Sequence, residues 1–386
     1  MNGITIVLFA APELDERERA VLAQIEDLNN KLRFQLNEPR RWSGSLRRLS
    51  FARNIRGSNS IEGFDAALDD AAAVAVREEP LDASAETRLA LEGYRNAMTY
   101  VLQIAQEPQV EVSEALIKSL HFMMTLYDLK NSPGRWRPGA IFVRDEVSGD
   151  IVHEGADIDD VPSLMAQLVA DLNTREDPPI VRAAMAHLNL VMIHPFRDGN
   201  GRMSRCLQSL ILAAEGVLSP VFMSVEEYLG RNTQDYYDIL ASVGGGTWQP
   251  SRDARPWIRF MLTAHLRQAQ TLQRRVRESE RLWSELERVR ERLNMPERMI
   301  YPMFDAAYGL RIRNATYRAA LSEEEEITEQ TASRDLKALV DADLLVAKGE
   351  RRGRYYVSGR ELTALRTQIF DKRGPRVDSD PFEGAA

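Results

Sequence analysis

His194-Pro195-Phe196-Arg197-Asp198-Gly199-Asn200-Gly201-Arg202-Met203-Ser204-Arg205 is the stretch on which the reading of this chain turns. Apolar residues at helical spacing run into it from Ile180 to Ile193 and out of it from Gly201 to Ala214, so it reads as a loop joining two helices. His194 ends the first helix, and an imidazole with an ordinary pKa of about 6.5 accepts a proton at neutral pH. Asp198, four residues on, is a hard oxygen ligand of the kind Mg²⁺ takes. Gly199-Asn200-Gly201 lets the backbone approach a bulky anion, and the helix that follows aims its free N–H groups at it. Arg202 and Arg205 stand three apart on one face and offer two guanidinium forks to phosphate oxygens. Phe196 is assigned to packing that anchors the loop. Each feature alone has a plainer explanation: a capping histidine, a turn, a surface arginine. A base, a metal ligand, an anion nest and paired arginines within 12 residues together describe a site for a polyphosphate and a hydroxyl nucleophile.

Helical periodicity dominates on both sides of this stretch. Upstream, it covers Leu14 to Leu36, Leu46 to Arg56, Ala83 to Gln106, Ser113 to Tyr127 and Val161 to Leu172. After Arg56 the chain runs through Gly57-Ser58-Asn59-Ser60-Ile61-Glu62-Gly63, where Ser58 or Ser60 reads locally as a helix cap or turn. Ala140 to Arg144 and Ile151 to His153 flank a turn and predict a short β-hairpin inside a helical domain. Downstream, Asn232 to Val243 and Arg255 to Leu266 read as helices separated by Gly244-Gly245-Gly246, and the charge-rich Arg267 to Leu293 as a solvated connecting helix. From Met295 on, two helices, a helix capped by Thr331 with Arg334 and Lys337 on one face, and a basic hairpin around Lys348 to Arg354 make a winged-helix pattern. Gly374 to Ala386 reads as a disordered tail. The expected fold is therefore mainly α.

Composition narrows the classes of function. The 386 residues carry a net charge of −8, which disfavours wrapping of nucleic acid by the whole chain while leaving room for a small basic module. At roughly 100–200 residues per domain the length suggests two or three domains. With Cys206 as the one cysteine, neither an intrachain disulfide nor a thiolate metal cluster is available, and a reducing cytoplasm fits best. No run approaches the about 18–20 apolar residues of a membrane span, so no membrane partner is expected. The apolar Ile4 to Ala11 lacks a preceding Lys or Arg and is followed by Glu13, Asp15 and Glu16; it predicts an N-terminal extension or short strand rather than a targeting signal.

At His194 to Arg205 the chain resembles the Fic (filamentation induced by cAMP) family, whose motif is His-x-Phe-x-Asp/Glu-Gly-Asn-Gly-Arg-x-x-Arg; every defined position is matched. The resemblance extends from about Ser58 to Leu262, through His187 and Tyr236-Tyr237. It implies a Fic-type helical bundle with a β-hairpin flap, here followed by the winged helix. It implies transfer of AMP from ATP to a Ser, Thr or Tyr hydroxyl of a protein, with ATP and Mg²⁺ in the site. In that likeness His194 is the general base, Asp198 the Mg²⁺ ligand and Gly199, Asn200 and Gly201 the anion hole. Arg202 would hold the β-phosphate and Arg205 the γ-phosphate, while Tyr236 and Tyr237 would lie near the adenine. Ser242-Val243-Gly244 stands where relatives often carry an Asn. The hairpin around Ile141 to Val152 is similar to the flap that pairs with a target segment. Ser58-x-x-x-Glu62-Gly63 is similar to the family's inhibitory motif, which would pair Glu62 with Arg205 and block the productive γ-phosphate pose.

The expected division is 1–75 as a helical arm with the inhibitory motif, 76–265 as the catalytic core, 266–294 as a connecting helix, 295–373 as the winged helix and 374–386 as the tail. The alternative from another class is a DNA-binding regulator acting through 295–373. A protein-interaction or dimerisation module remains open for the same segment, and so does a homodimer. The target protein is not identified by the residues.

Overall fold

A computed structural model describes residues 8–37, 40–107, 110–144, 148–216, 219–321, 325–350, 353–371 and 380–383. The fold is mainly helical, with two small two-stranded sheets among the described residues. At its centre lie α7 (Pro179–Ile193) and α8 (Asn200–Ala214), the two helices joined by the motif loop. Proline at the first turn starts α7, and its side chains from Ile180 to Leu190 are buried on every face, as expected of a helix wrapped by others. Around this pair stand α4 (Ala85–Ile104), α5 (Glu114–Thr125) and α6 (Val161–Thr174). Ser84 caps α4 by accepting from the Thr87 N–H, and Ser113 caps α5 by accepting from the Leu116 N–H.

The first helices are built onto the same core. α1 (Glu16–Asn37) lies along α12 (Arg255–Arg292), where Glu18, fully buried, accepts from Arg255 at 2.6 Å and Arg259 at 2.8 Å. α2 (Ser43–Ser60) packs on α3 (Leu68–Ala75) and α10 (Glu226–Arg231). The helix expected to run from Leu46 to Arg56 continues to Ser60, so that Ser58, read locally as a cap or turn residue, lies inside it. The cause is tertiary: Gly57 meets the backbone of Glu226 so closely that a Cβ would stand 2.5 Å from the Glu226 oxygen. Two other sequence expectations change in the same way. Arg255 to Arg292 is one unbroken helix, so the expected boundary at 265/266 falls inside α12; its second half is not merely solvated, since Leu272, Val276, Leu282, Leu286 and Val289 are buried. The N-terminal extension packs rather than forming a strand over its described residues, with Phe9 buried and its backbone paired to the Asn189 side chain at 2.9 and 3.1 Å.

β1 (Phe142–Arg144) and β2 (Ile151–Glu154) form the expected antiparallel hairpin beside the motif, with Val143 opposite His153; Asp145, Glu146 and Val147 lie outside the described residues. Between the motif and α12 come α9 (Pro220–Met223), α10 and α11 (Thr233–Gly244). The C-terminal part comprises α13 (Ile300–Ala307), α14 (Asn314–Leu321), α15 (Glu329–Asp341), the antiparallel pair β3 (Leu345–Lys348) and β4 (Tyr355–Ser358), and α16 (Arg360–Phe370). Ile312 bridges Tyr356 and so adds a third backbone segment to that pair. The cap of α15 is Thr328, whose hydroxyl accepts from the Thr331 N–H, so the expected Thr331 cap is displaced by one turn. Of the tail read as disordered, residues 380–383 are described, and Phe382 is buried against α12 with the Arg259 guanidinium over its ring; the remainder lies outside the described residues. Arg48 on α2 pairs with Asp305 at 3.3 Å, and Arg311 pairs with Asp69, Asp70 and Asp82, tying this part to the helices that flank Glu62.

Candidate active site

The loop between α7 and α8 is shaped by its own side chains. His194 closes α7 in the left-handed region at φ 54°, a strained position for a residue with a Cβ. Its Nδ1 lies 3.0 Å from the Val191 carbonyl, which can only accept, so Nδ1 carries the proton and Nε2 presents a lone pair. Burial of the ring, opposed by that bond, pushes its pKa down to about 4. At neutral pH it is therefore a free base. Gly199, at φ 75°, starts α8, and Asn200 folds its amide back onto Phe196, accepting from the backbone N–H and donating to the carbonyl at 2.9 Å each. The Asn200 side chain is thus spent on closing the loop, which leaves its backbone for the expected anion hole. Asp198 is half-exposed; its Oδ2 accepts from Arg202 Nη2 and Asn131 Nδ2 at 3.2 Å each, which leaves Oδ1 outward.

The two motif arginines are almost fully buried, at 0% and 1% exposure, which is unusual enough to need partners. Arg202 donates to the Tyr127 hydroxyl at 3.0 Å and lies over the Phe64 ring. Arg205 donates from Nε to Ser58 Oγ at 2.8 Å and from Nη2 to the Ser58 carbonyl at 2.8 Å and Glu62 Oε1 at 2.6 Å. Burial raises the Glu62 carboxyl, but Arg205 and then Arg202 outweigh it and hold the group below its ordinary value. The helical continuation of α2 to Ser60 is what delivers Ser58 to this arginine; Gly63, at φ 80°, then turns the chain away. The Glu62 carboxylate rests on the first turn of α8, so that a Cβ at Gly201 would stand 2.3 Å from Oε1. Arg202 Nε and Arg205 Nη1 are buried with no hydrogen-bond partner among the described residues.

Two buried donors without acceptors, a carboxylate on a helix N-terminus and a free imidazole nitrogen make this an anion site with a base beside it. Residues 111–212 match the Fic/DOC family. The protein carries a Fic domain. Among its relatives is the protein adenylyltransferase Fic of Nematostella vectensis, 26% identical over 278 residues; the match spans 65% of this chain and 55%, about half, of that relative's length. The protein adenylyltransferase fic-1 of Caenorhabditis elegans is 40% identical over 91 residues, 24% of this chain and 16% of its own. In fold, a Fic family protein from Desulfovibrio desulfuricans G20 covers 95% of this chain and 99% of its own with a TM-score of 0.57 at 22% identity. Fic-1 (aa134 - 508) from C. elegans covers 66% of this chain and 71% of its own with a TM-score of 0.52 at 23% identity.

Burial also corrects one assignment. Tyr236, expected near an adenine, is 1% exposed, and its hydroxyl meets His187 Nε2 at 2.9 Å within a buried chain that continues through Gln208 to His265. Only Tyr237, 44% exposed, reaches the surface, and its hydroxyl donates to the Ile61 carbonyl at 2.6 Å next to Glu62. Several residues that hold the Fic motif were not singled out in the sequence. His121 stacks flat on Phe196 at 3.7 Å, donates from Nε2 to the Asp198 carbonyl at 2.8 Å and accepts from the Gly134 N–H at 2.9 Å. Arg137, buried, donates to the carbonyls of His194, Gly139 and Ala156. His153, on β2, donates to the Met192 carbonyl at 2.9 Å and stands with its ring centroid 6.3 Å from that of His194. One local signal was present for His121: it falls on the apolar face of its helix, between Ile117, Leu120 and Met124, where an imidazole needs partners.

Proposed function

We propose that the protein is a protein adenylyltransferase, moving AMP from ATP to a Ser, Thr or Tyr hydroxyl of a target protein or of itself, and that Glu62 restrains it. The observation that carries this reading is the Glu62 carboxylate seated on the first turn of α8 and paired with Arg205, an anion where a phosphate would sit, beside a histidine with a free Nε2. The family of the domain and the names of its relatives support the same activity.

In this mechanism His194 Nε2 takes the proton of the incoming hydroxyl while its oxygen attacks the α-phosphorus; the bond from that phosphorus to the bridging oxygen breaks, and pyrophosphate leaves. With its pKa pushed down to about 4 by burial, the imidazole is unprotonated at pH 7. The N–H groups of Gly199 to Gly201 and the guanidinium of Arg202 hold the β-phosphate, and Arg205 the γ-phosphate. While Arg205 is bonded to Ser58 and Glu62, the γ-phosphate is kept from that place. No group of three or more His, Cys, Asp or Glu that could hold a metal stands among the described residues, but Mg²⁺ is commonly held by one carboxylate plus substrate phosphates, and Asp198 with Oδ1 outward fits that role. Mg²⁺ would supply charge neutralisation on the phosphates. Tyr237 is the aromatic available to the base. The β1–β2 hairpin exposes Phe142 and Ile151 and offers its edge for strand addition by the target. A reducing cytoplasm, in which the buried Cys206 stays a thiol, suits this activity.

The test uses ATP labelled on either the α- or the γ-phosphate. Glu62→Gly is expected to label itself from the α-labelled nucleotide more strongly than the parent, and Glu62→Gly with His194→Ala not at all. Transfer of the γ-label, or no label on Glu62→Gly, overturns the proposal.

A further inference from the structure

An open groove of about 660 Å³ lies between α14, α15 and the β3–β4 hairpin, far in chemistry from the Fic motif. Four cations line it, Arg313 and Arg318 from the first helix and its approach, Lys337 from α15 and Arg354 beside β4, against one carboxylate, Glu329. Arg313 is engaged with the Glu79 carbonyl. Arg318, Lys337 and Arg354 make no ion pair or hydrogen bond among the described residues, and Arg318 Nε is buried without a partner. Asn314 and Ser333, bonded to each other at 2.8 Å, add polar groups to the wall, and the Asn314 Oδ1 has no partner. Uncompensated cations on three separate elements around an open, polar trough suit a rigid polyanion whose charges are spaced along it, because each phosphate gained releases bound counterions.

The surface chemistry favours nucleic acid over a protein partner. Protein docking sites are anchored by exposed aromatic and aliphatic side chains, and Val346 is the one large exposed hydrophobic residue among the described residues after 294. The outward face of α15 carries Gln330, Ser333, Arg334 and Lys337, all exposed hydrogen-bonding groups. We propose that this groove binds the phosphodiester backbone of duplex DNA, with Arg318, Lys337 and Arg354 as phosphate contacts and α15 facing a groove of the duplex.

The experiment measures fluorescence anisotropy of a labelled duplex of about 20 base pairs and mixed sequence, titrated with the full chain at several salt concentrations. Binding at low salt is expected, with log K falling against log salt at a slope of about −3 for three phosphate contacts. Lys337→Glu with Arg354→Glu is expected to weaken binding at least about tenfold and to reduce the slope by about two, with self-labelling by ATP unchanged. Lys337→Gln with Arg354→Gln repeats the test if the double reversal fails to fold by circular dichroism. Arg277→Glu, an exposed charge reversal on α12, is expected to leave binding unchanged. Absence of binding by the folded chain at low salt, equal loss in Arg277→Glu, or displacement of the duplex by millimolar pyrophosphate at matched ionic strength overturns the proposal, the last in favour of a small-anion pocket.

Discussion

Arg202 and Arg205 in the Fic motif and Arg318, Lys337 and Arg354 in the C-terminal groove are the same chemistry in opposite settings. The first pair is buried, and its charge survives there because Asp198, Ser58 and Glu62 supply acceptors. In the proposed mechanism those acceptors take donors that substrate oxygens would use, so substrate and Glu62 would compete for them. In the groove Lys337 and Arg354 are exposed and Arg318 is half-buried, and none of the three has an internal partner among the described residues. On the two proposals above, burial makes a phosphate-binding arginine switchable, whereas exposure leaves one constantly available.

The sharpest way to break this comparison is Arg205→Ala. Loss of a buried charged donor from the phosphate site is expected to lower self-labelling in the Glu62→Gly background by about 10²–10³-fold. In the parent chain the same change strands Glu62 and is expected to cost about 3 kcal/mol, read as a shift in the urea midpoint. Glu62→Gly alone is next: a bond to a charged group of about 1.5–3 kcal/mol corresponds to a rise in initial labelling rate of about 10- to 100-fold.

Burial can also be tested through histidines that lie in the same interior. His121, His187 and His265 are buried, and burial pushes them down to about 4, 3 and 4. Their folded pKa values lie below the unfolded value of about 6.5, so as pH falls below 6.5 the unfolded chain binds protons first and stability drops, until the native sites titrate near 4. Between pH 7 and 5.5 each is expected to remove about 1 kcal/mol, measurable by urea denaturation at the two pH values. A stability that is flat over that range would show that these rings are not held neutral. The smallest effect is expected at the other end of the comparison. Lys337→Ala, with no internal partner, should change stability by less than about 0.5 kcal/mol in the same assay.

Much of the chemistry was legible in the chain because it is carried by neighbours. His194, Asp198 and the two arginines fall within one turn and a half of a loop–helix junction, where spacing alone places them together. The β1–β2 hairpin and most helices were visible in their periodicity for the same local reason. Helix ends were less legible. α2 continues through Gly57 because α10 lies against it, and α12 bridges the expected boundary because one face is apolar along both halves. Tyr236 looked like its neighbour Tyr237, yet adjacent helix positions point in directions about a quarter-turn apart, and only packing decides which is buried.

What the sequence determined by itself is the set of reactive groups and the local geometry that a loop and a helix start impose on them: a base, a carboxylate, an anion nest and two forks. What the tertiary structure decided is their state. It set the free nitrogen of His194 through the Val191 carbonyl, turned the Asn200 side chain inward and brought Ser58 and Glu62, more than a hundred residues away in the chain, onto Arg205. The physical reason is range. Covalent spacing fixes contacts within a few residues, whereas burial, and with it proton affinity and the need of a charge for a partner, depends on what the rest of the chain packs around the group.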